Sequence, residues 1–286
     1  TFNELLADYL SSTTMKPRSL EAYRWLYKKH VEADLGKRKL SDITVEQVRA
    51  LHKKVSKETP TTANRCVSMV KAAFNAALKE GTYTGANPAG HVKKNTETSR
   101  TRYLQPAELA IFFQALEESE EPAKSFFMLC LLTGARRSNV LAMKWADISL
   151  GDALWRITAA DAKAGEEMNI PLVPEAVQLL ERLKSESGNA SPWVFPADSK
   201  TGHYQEPKRA WATLRRRSGL ADLRIHDLRR TMGSWLVRTG ANTAINAKAL
   251  GHKSMQAAAV YQRIADVDPV RDAMERATTA FLGGGK

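Results

Sequence analysis

Apolar side chains recur every three or four residues along four segments in the first third of the chain, which predicts four helices. The segments begin with TFNELL, SLEAYR, TVEQVR and TTANRC. The second starts at a plausible cap, Ser19, and stops at Gly36. The third opens with Thr44 and Gln47 in a capping-box arrangement, and the fourth stops at Gly81. Because Lys and Arg occupy the remaining faces, the pattern predicts a compact all-α module with a basic surface.

A polar stretch separates this module from the rest of the chain. Residues 93–102 have no apolar face, and they follow Pro88 and Gly90. Such a composition is typical of a linker, and its four cations make the linker basic. We therefore predict a helical domain at residues 1–92, a linker at 93–102 and a second domain at 103–286.

The pattern of the second domain is mixed. The apolar segment SFFMLCLLTG predicts a buried helix, and two β-like segments, ALWRIT and MNIPLV, flank a turn at AKAGEE. Further helices are predicted at 175–185, 207–218, 227–239, 243–250, 254–264 and 269–282. The predicted fold class is mainly α, with a small antiparallel sheet in a mixed α/β second domain. Four tryptophans are predicted to be core residues rather than stacking platforms: Trp25, Trp145, Trp155 and Trp235.

The net charge of the chain indicates what kind of partner it binds. The 286 residues carry a formal net charge of +12, and residues 1–100 alone hold 18 Lys and Arg against 10 Asp and Glu. A basic chain favours a polyanion such as nucleic acid, although a solvated lysine face would give the same count. No apolar run approaches the roughly 18–20 residues of a membrane span. Cys66 and Cys130 are far apart, which favours free thiols in the cytoplasm over a metal cluster or disulfide.

Four short motifs carry candidate chemistry. TGARRSN places an arginine after a helix-breaking glycine, where a guanidinium can grip a phosphate. HDLRR places a histidine and an arginine one helical turn apart, so that both can face one pocket. DAKAGEE places a lysine at the hairpin tip, and LGHKSMQAAAVYQRI adds a histidine and a tyrosine. Each motif alone also has an ordinary reading, as a surface Arg pair, a capped helix, a solvated lysine or a packing tyrosine. The six candidates are Arg136, Lys163, His226, Arg229, His252 and Tyr261.

The tyrosine needs help to act as a nucleophile. With a phenol pKa near 10, only about one part in a thousand is phenolate at neutral pH, which corresponds to roughly 4 kcal/mol. A phosphodiester clamped by Arg136 and Arg229 would supply that help, because the two cations stabilise the charge that develops on the phosphorane.

In their order and spacing, these motifs resemble those of the tyrosine recombinase family, the phage-type integrases. The resemblance covers essentially the whole chain: the N-terminal part is similar to the four-helix, SAM-like core-binding domain, and residues from about 103 onward are similar to the catalytic domain. One departure is Asn139, where many members carry Glu or Asp. The longer integrases also have an N-terminal arm-site domain, and its absence here fits a chain cut at Thr1.

The resemblance implies a role for each candidate. Arg136 and Arg229 would clamp the phosphate, and Tyr261 would attack it to form a 3′-phosphotyrosyl link. Lys163 would protonate the leaving 5′ oxygen. His226 would assist proton transfer at the nucleophile, and His252 would hydrogen-bond the scissile phosphate. The bond energy is kept in the covalent link, so the reaction would need no ATP, metal or other cofactor.

The resemblance also implies partners. They would be double-stranded DNA at recombination (att) core sites, other copies of the chain in a tetramer on a Holliday junction, and an accessory directionality factor or DNA-bending protein. The protein would integrate or excise a mobile element in the cytoplasm of a bacterial host. A type IB topoisomerase shares the chemistry without strand exchange; the basic helical domain and linker favour the recombinase. Candidate DNA contacts are Arg18, Arg65, Lys71, Lys93, Lys94, Arg100 and Arg102.

Overall fold

The computed structural model describes residues 1–162, 165–188, 191–251, 261 and 274. The chain divides into two compact units, Thr1–Ser99 and Arg100–Lys286. Each unit has a hydrophobic core of its own. Most of the last two predicted helices, at 254–264 and 269–282, lies outside the described residues. None of the described helices is both long and apolar enough to cross a membrane.

Four α-helices form the first unit, as the apolar spacing predicts. They are α1 (Phe2–Ser12), α2 (Pro17–Leu26), α3 (Val45–Ser56) and α4 (Pro60–Glu80). A π-helical segment, Tyr27–Gly36, continues directly from α2. The predicted capping box is present, because Thr44 Oγ1 accepts from the Gln47 amide while the Gln47 side chain accepts from the Thr44 amide. Gly81 ends α4 at a φ of 74°, in the left-handed region that glycine enters at least cost.

Two details of α2 differ from the sequence prediction. The helix starts at Pro17, because proline fits the first helical position, so Ser19 lies inside the first turn rather than at the cap. Trp25 is 55% exposed and is not a core residue. The neighbouring Leu26 takes the buried side of the helix, and the Lys29 ammonium lies 5.0 Å from the exposed indole ring.

The described residues of the second unit form seven α-helices, one short 3-10 helix (Trp145–Asp147) and a small sheet. The helices are α5 (Pro106–Glu117), α6 (Ala123–Thr133), α7 (Arg137–Leu141), α8 (Pro174–Ser187), α9 (Lys208–Ser218), α10 (Ile225–Arg238) and α11 (Thr243–Leu250). The predicted buried helix is α6, whose Phe126, Phe127 and Leu129 have no exposed surface. The Phe127 and Trp211 rings meet edge to face at 4.8 Å between centroids, which packs α6 against α9.

The sheet is antiparallel, and its strand order is β1 (Ile148–Ser149), β2 (Leu154–Ile157), β3 (Met168–Pro171). Trp155 pairs with Ile170 across β2 and β3, and both side chains are buried. The sequence did not predict strand β1, because two residues are too few to show the alternation of apolar and polar side chains that marks a strand. The fold class is therefore the predicted one, mainly helical with a small antiparallel sheet.

Candidate active site

The first arginine motif follows a sharp turn at the end of α6. Gly134 has a φ of 58°, and a Cβ there would lie 2.7 Å from Leu250 Cδ2. Both facts require glycine. Other residues disfavour this region of backbone conformation, and their Cβ would collide with the leucine side chain. The turn sets Arg136 immediately before the first residue of α7. Arg136 Nη2 also comes within 3.5 Å of the carbonyl oxygen of Gly251.

Arg229 lies in the interior of the second unit and is only 3% exposed. It donates from Nη1 to the Gly134 carbonyl oxygen at 2.7 Å and from Nη2 to the Leu250 carbonyl oxygen. Its pKa is lowered from the ordinary value to about 10, chiefly by burial and also by the nearby charge of Arg136, while Tyr261 opposes the shift. With a pKa of about 10, the guanidinium stays charged at neutral pH. A buried, charged guanidinium of this kind is suited to binding an anion.

Tyr261 is a further hydrogen-bond partner of Arg229. Its side chain hydrogen-bonds to the guanidinium, and this contact favours the charged form of the arginine. The tyrosine is 6% exposed and packs with Val237, Leu250 and Met232. The structure therefore brings together two residues that lie 32 positions apart in the sequence, along with Arg136.

His226 lies in the first turn of α10, one turn before Arg229. Partial loss of hydration lowers its pKa below the ordinary value, and the charges of Arg230 and Arg229 add to the effect, with Asp227 opposing it. The imidazole is thus biased toward its neutral form, which can accept a proton.

An ion-pair cluster around Asp227, which the sequence motifs did not predict, anchors the start of this helix. The Asp227 side chain has no exposed surface, and its carboxylate accepts from the Arg224 amide at 2.9 Å and from Arg230 Nη1 at 2.6 Å. Arg100 Nη2 is a further donor, at 3.2 Å. An acidic residue in the first helical turn is an ordinary capping signal. Its partner Arg100, however, is far away in the sequence, so no local pattern could have predicted this ion pair.

Two of the six candidates, Lys163 and His252, lie outside the described residues. In the sequence, Lys163 falls between β2 and β3, which pair as the two arms of the predicted hairpin. Gly251, next to His252, has a φ of 59°, and a Cβ on it would collide with Met168 Sδ of β3. The glycine of the Gly-His pair is therefore required by a close approach of β3 to the end of α11.

The seven candidate DNA contacts fall into two groups. In the first unit, five side chains are exposed: Arg18, Arg65, Lys71, Lys93 and Lys94. In the second unit, Arg100 and Arg102 are held by carboxylates. Arg102 Nη2 lies 2.7 Å from Glu108 Oε1, and its Nε lies 2.9 Å from Asp222 Oδ2. These two arginines are engaged within the protein, so we do not carry them into the proposed DNA surface.

A polar network that the sequence did not reveal fixes the chain beside Lys94. Asn64 Oδ1 accepts from the Asn95 amide at 2.8 Å and lies 3.0 Å from His52 Nε2. Asn64 Nδ2 donates to the Asn95 carbonyl oxygen at 2.9 Å. Lys94 Nζ itself donates to Ser68 Oγ at 2.8 Å. The network holds this segment on α3 and α4 and so gives the Lys94 ammonium a defined place.

Metal ligands do not converge in the part of the chain that the structure describes, where no three His, Cys, Asp or Glu side chains are grouped so that they could hold an ion. Both cysteines are buried and free. Burial raises the pKa of the Cys66 thiol to about 11, which makes it a poor ligand and a poor nucleophile at neutral pH.

Comparison with known proteins decides the family. The sequence profile of the Phage integrase family matches residues 102–267, and that of the Phage integrase central domain matches residues 2–94. The chain belongs to the phage integrase family. Together the two profiles match most of the two compact units.

Individual integrases are similar to this chain in sequence. The integrase of Salmonella phage P22 is 28% identical over 211 residues, which cover 70% of this chain and 53% of that protein. The prophage integrase IntF of Escherichia coli K12 is 27% identical, over 85% of this chain and 54% of that protein. The chain thus spans about half the length of these two curated relatives.

The fold of a solved integrase is similar as well. The Tn1549 transposon integrase, in complex with a circular intermediate DNA, superposes with a TM-score of 0.81 at 16% identity, covering 96% of this chain and 99% of that chain.

Proposed function

We propose that the chain is a site-specific DNA recombinase that cleaves and rejoins DNA through Tyr261. The observation that carries this proposal is the contact between Tyr261 and the buried, charged guanidinium of Arg229. Arg136 is the second cation of the group, close enough to affect the pKa of Arg229. A nucleophile beside two arginines is suited to attack on a phosphodiester, whose negative charge the arginines hold.

The proposed step is a transesterification. The Tyr261 oxygen attacks the scissile phosphorus, the bond to the 5′ oxygen breaks, and a 3′-phosphotyrosyl link forms. The 5′ hydroxyl of a partner strand then attacks this link and releases the tyrosine. One phosphodiester is exchanged for another in each step, so the balance needs no ATP. The positive charge that stabilises the phosphorane comes from Arg136 and Arg229.

Three further residues complete the proposed chemistry. His226, biased toward its neutral form, receives the phenol proton or passes it on. Lys163 donates a proton to the leaving 5′ oxygen, and His252 hydrogen-bonds a phosphate oxygen. Their roles rest on the resemblance of their motifs to those of the family.

DNA binding is assigned to both units. We propose that the helical domain at 1–92 binds the duplex through Arg18, Arg65 and Lys71, and that Lys93 and Lys94 at the start of the linker add to this surface. The exposed charges of all five suit a phosphate backbone. The linker at 93–102 and the catalytic domain at 103–286 complete the arrangement. Recombination at an att core site then requires four protomers on a Holliday junction, with a directionality factor or DNA-bending protein selecting integration or excision.

Covalent trapping tests the proposal. A DNA site with a nick next to the scissile phosphate loses its short leaving strand after cleavage, so the phosphotyrosyl complex accumulates. The site is taken from DNA flanking the element that encodes the protein. We expect the parent chain to form a complex visible on a denaturing gel, and Tyr261→Phe to bind the same DNA without forming it. Covalent complex with Tyr261→Phe would reject Tyr261 as the nucleophile, and relaxation of supercoils without strand exchange would favour a topoisomerase.

A further inference from the structure

Gly233 lies on α10 four residues after Arg229, and so on the same face of the helix one turn further along. His226, Arg229 and Gly233 therefore form one stripe. A glycine inside a helix costs about 0.5–1 kcal/mol relative to alanine, so its presence at this place calls for a physical reason.

The reason is space rather than backbone conformation. Gly233 is absent from the positive-φ glycines of the described chain, so its helical backbone does not require glycine. A Cβ on it, however, would lie 2.8 Å from both Cδ1 and Cε1 of the Tyr261 ring and 2.8 Å from Leu250 Cδ1. Contacts this short essentially never occur for real Cβ atoms. The tyrosine ring thus lies directly on the helix backbone.

We infer that Gly233 is a positioning residue for the nucleophile: the missing side chain forms a notch that seats the Tyr261 ring one turn from the Arg229 guanidinium. This inference rests on the proposed role of Tyr261. A side chain in the notch pushes the ring away from α10, and the hydroxyl then leaves its position beside Arg229. The arginines and the DNA-binding surface stay in place, so the loss falls on the covalent step.

Asn246 binds the backbone of the glycine that forms the notch. Its side chain is fully buried, and its Nδ2 donates to the Gly233 carbonyl oxygen at 2.8 Å. Leu250, one turn further along α11, has no exposed surface and forms the wall that meets both Gly233 and Gly134. The bond from Asn246 therefore ties α11 to α10 at the residue that carries the notch.

The seat is tested first without DNA. Tyrosines are nitrated or oxidised by hydroxyl radicals in the parent chain, in Gly233→Ala and in Gly233→Val, and modification is mapped by peptide mass spectrometry. Tyr103, which is 5% exposed, reports global unfolding. We expect Tyr261 to be protected in the parent and modified severalfold faster in Gly233→Val, with Gly233→Ala between them and Tyr103 unchanged.

Gly151 provides the matched control. It lies in the turn between β1 and β2, and a Cβ there meets nothing within 4 Å. Gly151→Val should leave the labelling of Tyr261 unchanged. If Gly233→Val unfolds, Tyr103 is labelled as well, and the comparison then rests on the smaller change in Gly233→Ala. Equal labelling of Tyr261 in the parent and in a folded Gly233 variant would overturn the seat, whatever the chain does to DNA.

The catalytic consequence is measured by single-turnover cleavage of the nicked site. We expect Gly233→Val to lower the rate constant of covalent complex formation by about 100-fold, because a displacement of about 1 Å can cost that much. DNA affinity should stay close to that of Gly151→Val, while the thermal midpoint falls because the new side chain overpacks the core. A parent-like rate constant in Gly233→Val would contradict the role, whereas failure of the parent chain itself to cleave would reject the proposed function instead.

A double variant separates the tyrosine from core packing. Leu250→Ala removes the other group that a new Cβ would strike. If Gly233→Val/Leu250→Ala stays as slow as Gly233→Val, the ring of Tyr261 is the obstructed group. Full recovery of the rate would assign the notch to the leucine and overturn the inference.

Discussion

Arg100 and Asp227 form an ion pair across 127 positions of sequence, with Arg100 Nη2 3.2 Å from Asp227 Oδ2. The carboxylate has no exposed surface, and the arginine is 27% exposed. The pair lies at the first turn of α10, the helix that carries His226, Arg229 and Gly233. An arginine that the sequence places in a basic linker therefore serves the start of the central helix of the site.

Removing this arginine should destabilise the second unit. We expect Arg100→Ala to lower the free energy of unfolding by about 1–2 kcal/mol, because a buried carboxylate loses one charged donor while the Arg230 and backbone donors remain. Urea denaturation measures the change. Arg216→Ala, on the exposed side of α9, is the control and should stay within about 0.5 kcal/mol of the parent. A neutral effect at Arg100 would mean that the ion pair adds no net stability.

Salt dependence should distinguish a phosphate contact from an internal ion pair. The logarithm of DNA affinity falls with the logarithm of salt concentration by about 0.9 per neutralised phosphate. Arg65→Ala removes an exposed cation of the proposed DNA surface, so we expect its slope to be shallower by about 1. Arg100→Ala should keep the parent slope. Titrations of one labelled duplex at several salt concentrations measure both, and a shallower slope for Arg100→Ala would return this residue to the DNA surface.

The pH profile of cleavage should reflect His226. Because burial and the neighbouring arginines lower its folded-state pKa, the ring takes up a proton only at a lower pH than an ordinary imidazole, whose pKa is about 6.5. We expect the single-turnover rate constant to fall on the acid side, with its midpoint below pH ~6.5. His226→Asn should lower the plateau by about 100-fold and abolish this acid limb. An acid limb that persists in His226→Asn would assign the proton acceptor elsewhere.

The leaving group offers a test of Lys163. We expect Lys163→Ala to cleave normal DNA at least about 100-fold more slowly than the parent, since a general acid contributes that much or more. Replacing the 5′ bridging oxygen by sulfur gives a leaving group that needs no proton, and cleavage by Lys163→Ala should recover. Tyr261→Phe supplies the contrast, because it should stay inactive on either DNA. Failure of the sulfur substrate to restore Lys163→Ala would move the acid role to another residue.

Substitutions at two glycines should distinguish the cost of backbone strain from the cost of a steric clash. Gly134 and Gly219 both have positive φ, at 58° and 70°, but of the two only Gly134 would place a Cβ against neighbours, Leu250 at 2.7 Å and Met232 at 3.0 Å. We expect Gly219→Ala to cost about 1 kcal/mol of folding free energy and Gly134→Ala about 2–3 kcal/mol, because the second change adds a clash to the strain. Equal losses in thermal or urea denaturation would show that Leu250 and Met232 move aside freely.

Local rules predicted much of this fold because local physics determines it. The capping box of Thr44 and Gln47, the stop at Gly81 and the buried helix around Phe127 each depend on residues within a few positions. The spacing of apolar residues does not predict the π-helical segment that begins at Tyr27. Trp25 was placed wrongly because hydrophobicity alone does not decide which of two adjacent residues, Trp25 or Leu26, takes the core side of a helix.

The site divides in the same way. The sequence motifs predicted Arg136, Arg229 and Tyr261 as site residues, and the structure brings these three side chains together. Long-range partners left no trace in the sequence: the carboxylate that holds Arg100 is 127 positions away, and the glycine that receives the tyrosine ring reads as an ordinary helix residue. Such partners depend on tertiary packing, which short motifs do not encode.

The position of Gly233 on α10 has a mechanical consequence. The backbone that carries Arg229 and the backbone on which Tyr261 rests belong to one helix, separated by a rise of about 6 Å. When α10 shifts as a body, for example as the catalytic unit adjusts to a bent duplex, both ends of the Arg229–Tyr261 contact travel together. Their separation is then insensitive to such motion, so the nucleophile and its counter-charge keep their alignment while the rest of the complex is rearranged.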